Sequence, residues 1–249
     1  MEEYRIDPNI AFDVVELPSR GVHYANKKKS LKVAYLTAAD ENILSSPNLL
    51  TTNTVVPELL KRKILDRDLD IDDIVDEDKE AILIFLRNTA FGTTYNITAT
   101  DPKTDKDFSF EIDLSTLRMK DFNLKENENG EYTYFMEKSK VDVTFKFLNQ
   151  KQEKEIDAIK ESWNGNGIAP VITKQLEFMI KSIKGNREQM NIRNFIETLP
   201  IKDSQDFRRF VKDNKPGLDL TQTATTPSGD TIQVNIGFGV EFFRPFYGV

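Results

Sequence analysis

Apolar and polar residues alternate at the start of the chain, and a helical period follows. Between residues 12 and 35 the alternation lies on either side of a breaker-rich turn at residues 17–21, which predicts two short strands. Thr37 then stands at an N-cap position with Asp40 three residues further on. Pro47 is expected to end this short helix.

Apolar residues at three-and-four spacing predict two further helices before residue 92. One carries a stripe that reaches Ile64, and the other follows the acid-rich residues 66–78 and ends at Gly92. Acids in the first turn of that second helix interact favourably with the positive end of its dipole.

From residue 95 the apolar period changes to two. Residues 95–112 read as a hairpin around a turn at 101–105, and residues 132–147 contain a second pair of strands. After residue 149 the period returns to 3.6 and predicts four short helices, one of them with a stripe from Ile172 to Ile183. A last hairpin over residues 218–236 is followed by an aromatic tail.

This order of periods predicts an α+β fold, with two clusters of short helices packed with β-hairpins. No low-complexity linker separates the blocks, so we expect one compact unit or two closely packed lobes. The predicted segments are an N-terminal arm with short strands (1–36), a helical cluster (37–92), a β-hairpin region (93–148), a second helical cluster (149–217) and a C-terminal hairpin with the tail (218–249).

Composition narrows the possible partners. The 249 residues include 34 Lys and Arg against 41 Asp and Glu, a formal net charge of −7, which lacks the basic footprint of nucleic-acid-binding proteins. The N-terminus is acidic where a secretory signal needs basic residues, and no apolar run reaches the length of a membrane span. We therefore expect a cytoplasmic protein with neither nucleic acid nor membrane as partner.

The residue types that carry most enzyme chemistry are scarce. The chain has no Cys and one His, which excludes disulfides, thiolate metal sites and cysteine nucleophiles. His23 lies in a turn without a Ser or Asp motif, and the glycines near residues 165–167 and 237–239 lack the rest of a phosphate-binding loop. The sequence predicts a protein without catalytic residues, cofactor or bound metal. A carboxylate-dependent enzyme is the rival class, although no carboxylate pair stands out.

Five acids nevertheless match the ligand spacing of an EF-hand calcium loop. They are Asp66, Asp68, Asp70, Asp72 and Glu77. The glycine that this loop needs is replaced by Ile71, a β-branched residue that resists positive φ. We expect a solvated acidic face here, and a calcium-responsive binding module on residues 66–77 is the alternative function.

The C-terminal aromatic residues would form a large apolar patch if all of them were exposed. We expect Phe242 and Phe243 to be core, in an extended segment whose side chains project alternately, with the rest available to a partner. The candidate partner-binding residues are Arg20, Arg244, Phe246 and Tyr247.

Several short motifs resemble one family. Residues 17–24, 36–50 and 82–87, Phe91-Gly92, Tyr95 and residues 242–245 look like those of the baseplate hub proteins and hub assembly factors of T-even-type contractile-tailed phages. The resemblance implies a role in building the baseplate hub, either as a part that stays or as a factor that leaves. It implies other hub proteins as partners, and a location in the host cytoplasm during assembly, or in the virion baseplate for a part that stays.

Two turns depart from the pattern of this family. Its members often carry Cys-Pro-x-Cys knuckles in the turn after Tyr95 and in the turn before the terminal strand, so that the hairpins resemble zinc ribbons. Here residues 100–103 and 226–229 keep the proline and lack the thiols. We therefore expect two zinc-ribbon-like hairpins without the cysteines, held by turn chemistry and packing.

Overall fold

A computed structural model describes residues 10–51, 54–162, 168–238 and 240–243. It shows the predicted α+β fold. Its helices are α1 (Ala38–Leu44), α2 (Pro47–Thr51), α3 (Val55–Lys63), α4 (Asp76–Phe91), α5 (Gln150–Ser162), α6 (Val171–Met179), α7 (Gln189–Thr198) and α8 (Ile201–Asp213). Its strands are β1 (Phe12–Glu16), β2 (Ser30–Ala34), β3 (Thr94–Asp101), β4 (Lys106–Asp113), β5 (Tyr132–Met136), β6 (Val141–Phe145), β7 (Ile180–Ile183), β8 (Thr221–Thr225) and β9 (Thr231–Asn235).

The chain forms two compact units. The first unit is drawn from residues 1–20, 28–120 and 217–249, and the second from residues 21–27 and 121–216. Each unit contains both helices and strands. Within the described residues, no helix combines the length and the apolar character needed to cross a lipid bilayer.

The first unit contains three antiparallel strand pairs together with helices α1 to α4. β1 pairs with β2, β3 with β4, and β8 with β9. The hairpins predicted within 95–112 and 218–236 are therefore confirmed. Buried apolar side chains of this unit include Leu17, Leu31, Val33, Val55, Leu59, Leu60, Ile64, Ile74, Ile82 and Leu86.

Helix α1 begins where Thr37 predicted. The backbone N–H and the hydroxyl of Thr37 donate to Oδ2 of the buried Asp40 at 2.7 and 2.8 Å, and the ammonium of Lys63 contacts the same carboxylate. Burial acts to raise the pKa of Asp40, but Lys63 and Thr37 outweigh it and hold the pKa below its ordinary value. Pro47 lies beyond the end of α1 and is also the first residue of α2. Proline is well tolerated at a first helical position, because the N–H that it lacks would have no partner within the helix.

The second unit packs helices α5 to α8 with the antiparallel sheet β5-β6-β7. Its core is rich in aromatic rings, and the fully buried Phe145 and Phe207 meet edge to face at 5.4 Å between centroids. The core includes Tyr132, Met136, Val143, Phe145, Phe147, Ile156, Leu176, Met179, Ile180, Ile192, Ile196 and Phe207. Burial raises the pKa of Tyr132, whose hydroxyl donates to Glu126.

Strand β7 corrects one prediction. The stripe from Ile172 to Ile183 predicted a single helix, but α6 ends at Met179 and residues Ile180–Ile183 pair with β6. Ile180 and Ser182 are buried while their neighbours are half-buried, which is the alternation of a strand. Apolar residues three apart fit a helix, and only the tertiary pairing with β6 decides against it.

A buried carboxylate joins α8 to the turn between β5 and β6. Asp203 accepts hydrogen bonds from the backbone N–H groups of Lys138 and Ser139 at 2.9 and 2.7 Å, and from the Ser139 hydroxyl at 2.6 Å. Burial acts to raise the pKa of Asp203, but these donors outweigh it and hold the pKa below its ordinary value. The turn is thus fixed by a charge-assisted contact from a helix distant in sequence.

We expect Asp203→Ala to lower the free energy of unfolding by about 1–3 kcal/mol, because its donors lose their acceptor. Because the pKa of Asp203 is lower in the native state than in the unfolded state, its ionised carboxylate stabilises the fold. This contribution is complete above the unfolded-state pKa and is lost as the pH falls through the native pKa. The difference between wild type and variant should therefore shrink between about pH 7 and about pH 3. Urea unfolding at both pH values measures it.

Asp206→Ala is the matched control, since Asp206 lies on the same helix and pairs with Lys202 at the surface. We expect it to change the free energy of unfolding by less than about 0.5 kcal/mol. A difference for Asp203→Ala that does not depend on pH would contradict the proposed role of the ionised carboxylate.

Candidate partner-binding site

Arg20 lies in a turn that is fastened to helix α4. The buried Ser19 donates its N–H and hydroxyl to Asp78 at 2.9 and 2.6 Å. Arg20 has a φ of 53°, in the left-handed region, and its N–H donates to the carbonyl of Leu17. Its guanidinium Nη2 donates to the carbonyl of Lys120 at 3.3 Å at the exposed surface. The turn therefore presents Arg20 at the surface from an anchored position.

The described C-terminal residues pack into the first unit. Phe242 and Phe243 are buried, as the sequence predicted. The ring of Phe242 meets Tyr95 edge-on at 5.1 Å and Phe238 at 5.0 Å. Residues Val240–Phe243 form a short 3₁₀ turn, so the extended segment expected from residue 242 is wrong at its start. The other three tail candidates, Arg244, Phe246 and Tyr247, lie outside the described residues.

The buried guanidinium of Arg87 holds this aromatic segment. From α4 it donates to the carbonyls of Phe242, Gly92 and Thr94 at 3.1, 2.7 and 2.8 Å. Its central carbon lies 5.0 Å from the ring centroid of Tyr95 and 5.6 Å from that of Phe242. No carboxylate in the described part of the chain pairs with it, and burial lowers the pKa of Arg87. Arg87 thereby holds the described C-terminal residues against the end of α4.

This role of Arg87 was not predicted from the sequence. The available signal was an arginine at the end of an apolar run, five residues before Gly92. An arginine there has the reach to donate to carbonyls beyond the helix end, which lack helical partners.

The two turns that resemble cysteine-free knuckles meet through one carboxylate. Asp101 is fully buried and accepts from the Ser228 hydroxyl at 2.9 Å, the Ser228 N–H at 3.1 Å and the Lys103 N–H at 2.9 Å. Lys103 also pairs with Asp230 at 2.7 Å. Burial acts to raise the pKa of Asp101, but its donors outweigh it and hold the pKa below its ordinary value. Hydrogen bonds thus join hairpins β3–β4 and β8–β9.

Three of the candidate calcium ligands, Asp66, Asp68 and Asp70, accept hydrogen bonds from groups of the chain itself. The ammonium of Lys28 lies 2.8 Å from both Asp66 and Asp68, and its hydrogen bond is the main cause that lowers the pKa of Asp68. The backbone N–H of Lys32 donates to Asp66. Asp70 accepts from the N–H of Asp72 and so caps a short 3₁₀ turn.

Glu77 lies in the first turn of α4, whereas the other four acids precede that helix. A cleft of about 590 Å³ beside the acidic loop is lined by both signs of charge, since Lys61 and Arg67 face it together with the carboxylates. Among the residues that the structure describes, no group of three or more His, Asp or Glu is placed to hold a metal ion.

His23, the single histidine of the chain, packs within the second unit. Its Nδ1 donates to the carbonyl of Leu148 at 2.7 Å, and its ring lies 5.8 Å from that of Phe147. These contacts anchor residues 21–27 in that unit.

Comparison with known families identifies the class of protein to which these features belong. The sequence profile described as T4 bacteriophage base plate protein matches residues 18–244. The chain therefore belongs to the T4 bacteriophage base plate protein family. The match includes the Arg20 turn, α4 and the buried Phe242 and Phe243. Neither a search of curated proteins nor one of solved structures gives a match.

We expect Arg87→Met to lower the free energy of unfolding of the first unit by about 3 kcal/mol or more, because three carbonyls lose a charged donor. Arg87→Lys keeps the charge but not the planar fork of the guanidinium. Its free energy of unfolding should therefore lie between those of Arg87→Met and the wild type. Urea unfolding measures both. Arg67→Met, at an exposed arginine, is the control and should change stability by about 0.5 kcal/mol or less. A fully stable Arg87→Met protein would contradict the assignment.

We expect isothermal titration of the wild-type protein with calcium to give no saturable heat at micromolar concentrations. The reason is that the Lys28 ammonium already pairs with both Asp66 and Asp68 at hydrogen-bond distance and competes with a cation for them. Asp68→Asn and Asp72→Asn should behave as the wild type does. A micromolar isotherm that these variants abolish would instead establish the calcium module.

Proposed function

We propose that this chain is a non-enzymatic protein that acts through protein–protein contacts in assembly of the phage baseplate hub. It does so as a structural subunit of the hub or as a chaperone-like factor that helps the hub parts assemble and then leaves. The observation that carries this proposal is the family match over residues 18–244. The motif resemblance to hub proteins and hub assembly factors supports the finer assignment.

The use of buried acids supports a structural rather than a catalytic role. Asp40, Asp78, Asp101 and Asp203 are buried, and each accepts hydrogen bonds from backbone N–H groups or hydroxyls, which belong to a helix N-cap for Asp40 and to turns for the other three. Buried charges held in this way fix loops in place. These buried carboxylates thus hold turns and a helix start in fixed positions.

The partner contact in this proposal consists of Arg20 and the residues after Phe243. Arg20 projects from a turn that Asp78 anchors, so little conformational freedom is lost when a partner binds. Arginine and tyrosine are the residue types most often found at the energetic centres of protein interfaces. Arg244, Phe246 and Tyr247 supply both types and follow the segment that Arg87 holds.

The partners in this proposal are other hub proteins, and the place of action is the host cytoplasm during phage assembly. A structural subunit would also be present in the finished virion baseplate. Mass spectrometry of purified particles separates the two versions, because only the subunit remains after assembly.

We expect the tagged wild-type chain to recover hub proteins from infected cells. Arg20→Ala and removal of residues 244–249 should each reduce that recovery about tenfold without changing the melting temperature, because an interface contact and not the core is lost. Arg67→Ala, at an exposed arginine of the same unit, is the matched control. A folded bait that recovers no hub protein would overturn the proposal.

The same recovery experiment tests the calcium-responsive alternative. Recovery should be equal with added calcium and with a calcium chelator. Recovery that requires calcium, and that Asp68→Asn removes, would favour a binding module on residues 66–77.

A further inference from the structure

The second unit has a recess of about 310 Å³ between helices α5, α6 and α8. Its apolar lining comes from Phe147, Leu148, Met179 and Val211, all of them members of the aromatic core. The recess therefore exposes a small part of the core at the surface of the helical layer.

The rim of the recess is basic. Arg208, Lys212 and Lys215 line it along α8 and just after its end, and Glu153 faces them from α5. Lys215 and Glu153 neutralise each other at 3.1 Å. The recess is left with two cations, Arg208 and Lys212, whose charges are not matched by an ion pair within the described residues.

Arg208 is oriented for recognition. Its Nε donates to the carbonyl of Ser204 one turn earlier on α8, at 3.2 Å. This bond fixes the plane of the guanidinium, and its two terminal nitrogens make no hydrogen bond within the described parts of the chain. Such a fork binds a carboxylate through two parallel hydrogen bonds.

The size of the recess limits what can occupy it. Ligand pockets usually measure roughly 300–1,000 Å³, so this one is at the lower limit and suits one large apolar side chain rather than an extended cofactor. The apolar floor favours an aromatic or aliphatic group, while the two cations favour a carboxylate beside it. Both requirements are met by an acidic segment of polypeptide with one large apolar residue.

We propose that this recess binds an acidic segment of a partner protein, with one large apolar side chain inserted on the floor and a neighbouring carboxylate paired with Arg208 and Lys212. The inference rests on the proposed function, since it states the chemistry of one baseplate partner. It adds a contact on the second unit to those at Arg20 and the C-terminal tail.

The sequence contains a pattern that indicates the basic rim of this recess. Arg208, Lys212 and Lys215 are four and three residues apart, a spacing that places them on one face of a helix. The floor, in contrast, combines residues from the segment after β6 with residues of α6 and α8, and no local pattern indicates it.

The test uses the full-length protein and a fluorescein-labelled peptide, Gly-Ser-Glu-Phe-Glu-Ser-Gly, followed by fluorescence anisotropy. Replacement of the peptide's Phe by Ala, or of both Glu by Lys, should each weaken binding about tenfold or more. The double variant Arg208→Glu with Lys212→Glu should weaken binding of the original peptide by at least the same factor.

Arg209→Glu is the matched control for charge reversal. Arg209 is the next residue on α8, is exposed and does not line the recess. It should leave peptide affinity within about twofold of the wild type. Thermal unfolding of each variant verifies that the second unit is folded, and a single Lys212→Glu variant replaces the double variant if that one unfolds.

Several results would overturn the proposal. One is a loss of peptide affinity in Arg209→Glu that equals the loss in the double variant. Another is equal affinity of the protein for the Phe peptide and the Ala peptide. Either result would mean that the peptide binds by non-specific charge attraction. Displacement of the peptide by a single-stranded oligonucleotide that binds more tightly would assign the recess to nucleic acid instead.

A complementation assay separates this inference from the proposed function. The wild-type chain, supplied to cells infected by phage that lack it, should restore assembled baseplates, and the Arg208 and Lys212 double variant should not. Full rescue by the double variant would overturn the proposed binding role of the recess and would leave the proposed function unaffected. Assembly that needs no chain at all would overturn the proposed function.

Discussion

The buried guanidinium of Arg87 is the interaction on which the first unit most depends. An unpaired charge in a protein interior is costly, and here it is tolerated because three carbonyls and two aromatic faces surround it. Those acceptors come from the end of α4, the start of β3 and the aromatic turn at Val240–Phe243. One side chain thus joins parts of the chain that are 155 residues apart.

Buried carboxylates fix the positions of turns in both units. Asp78 holds the Arg20 turn to α4, Asp101 joins two hairpins, and Asp203 holds the β5–β6 turn to α8. In each case the acid accepts from backbone N–H groups outside its own element, which satisfies loop donors that strands and helices leave unpaired. Such loops hold defined positions, and defined surface loops are what a protein needs to recognise partners repeatedly in an assembly.

The parts of the fold whose determinants are local were predictable from the sequence. The Thr37–Asp40 cap, the acidic first turn of α4 and the alternating hairpin of β3 and β4 were predicted because each depends on neighbours within a few residues. Strand β7 was missed because pairing with β6, and not local spacing, decides its conformation. The partners of Arg87 and Asp101, and the floor of the recess, depend on tertiary contacts between distant segments, and no single-sequence pattern encodes those.

The contact between Asp101 and Ser228 also determines how the two hairpins respond to their chemical surroundings. A thiolate cluster in such a place would release its metal under oxidation or chelation. A carboxylate with hydroxyl and amide donors is indifferent to both, and becomes sensitive to acid instead, because protonation of Asp101 removes the charge that its donors stabilise. This junction therefore needs neither zinc nor a particular redox state of its surroundings to form.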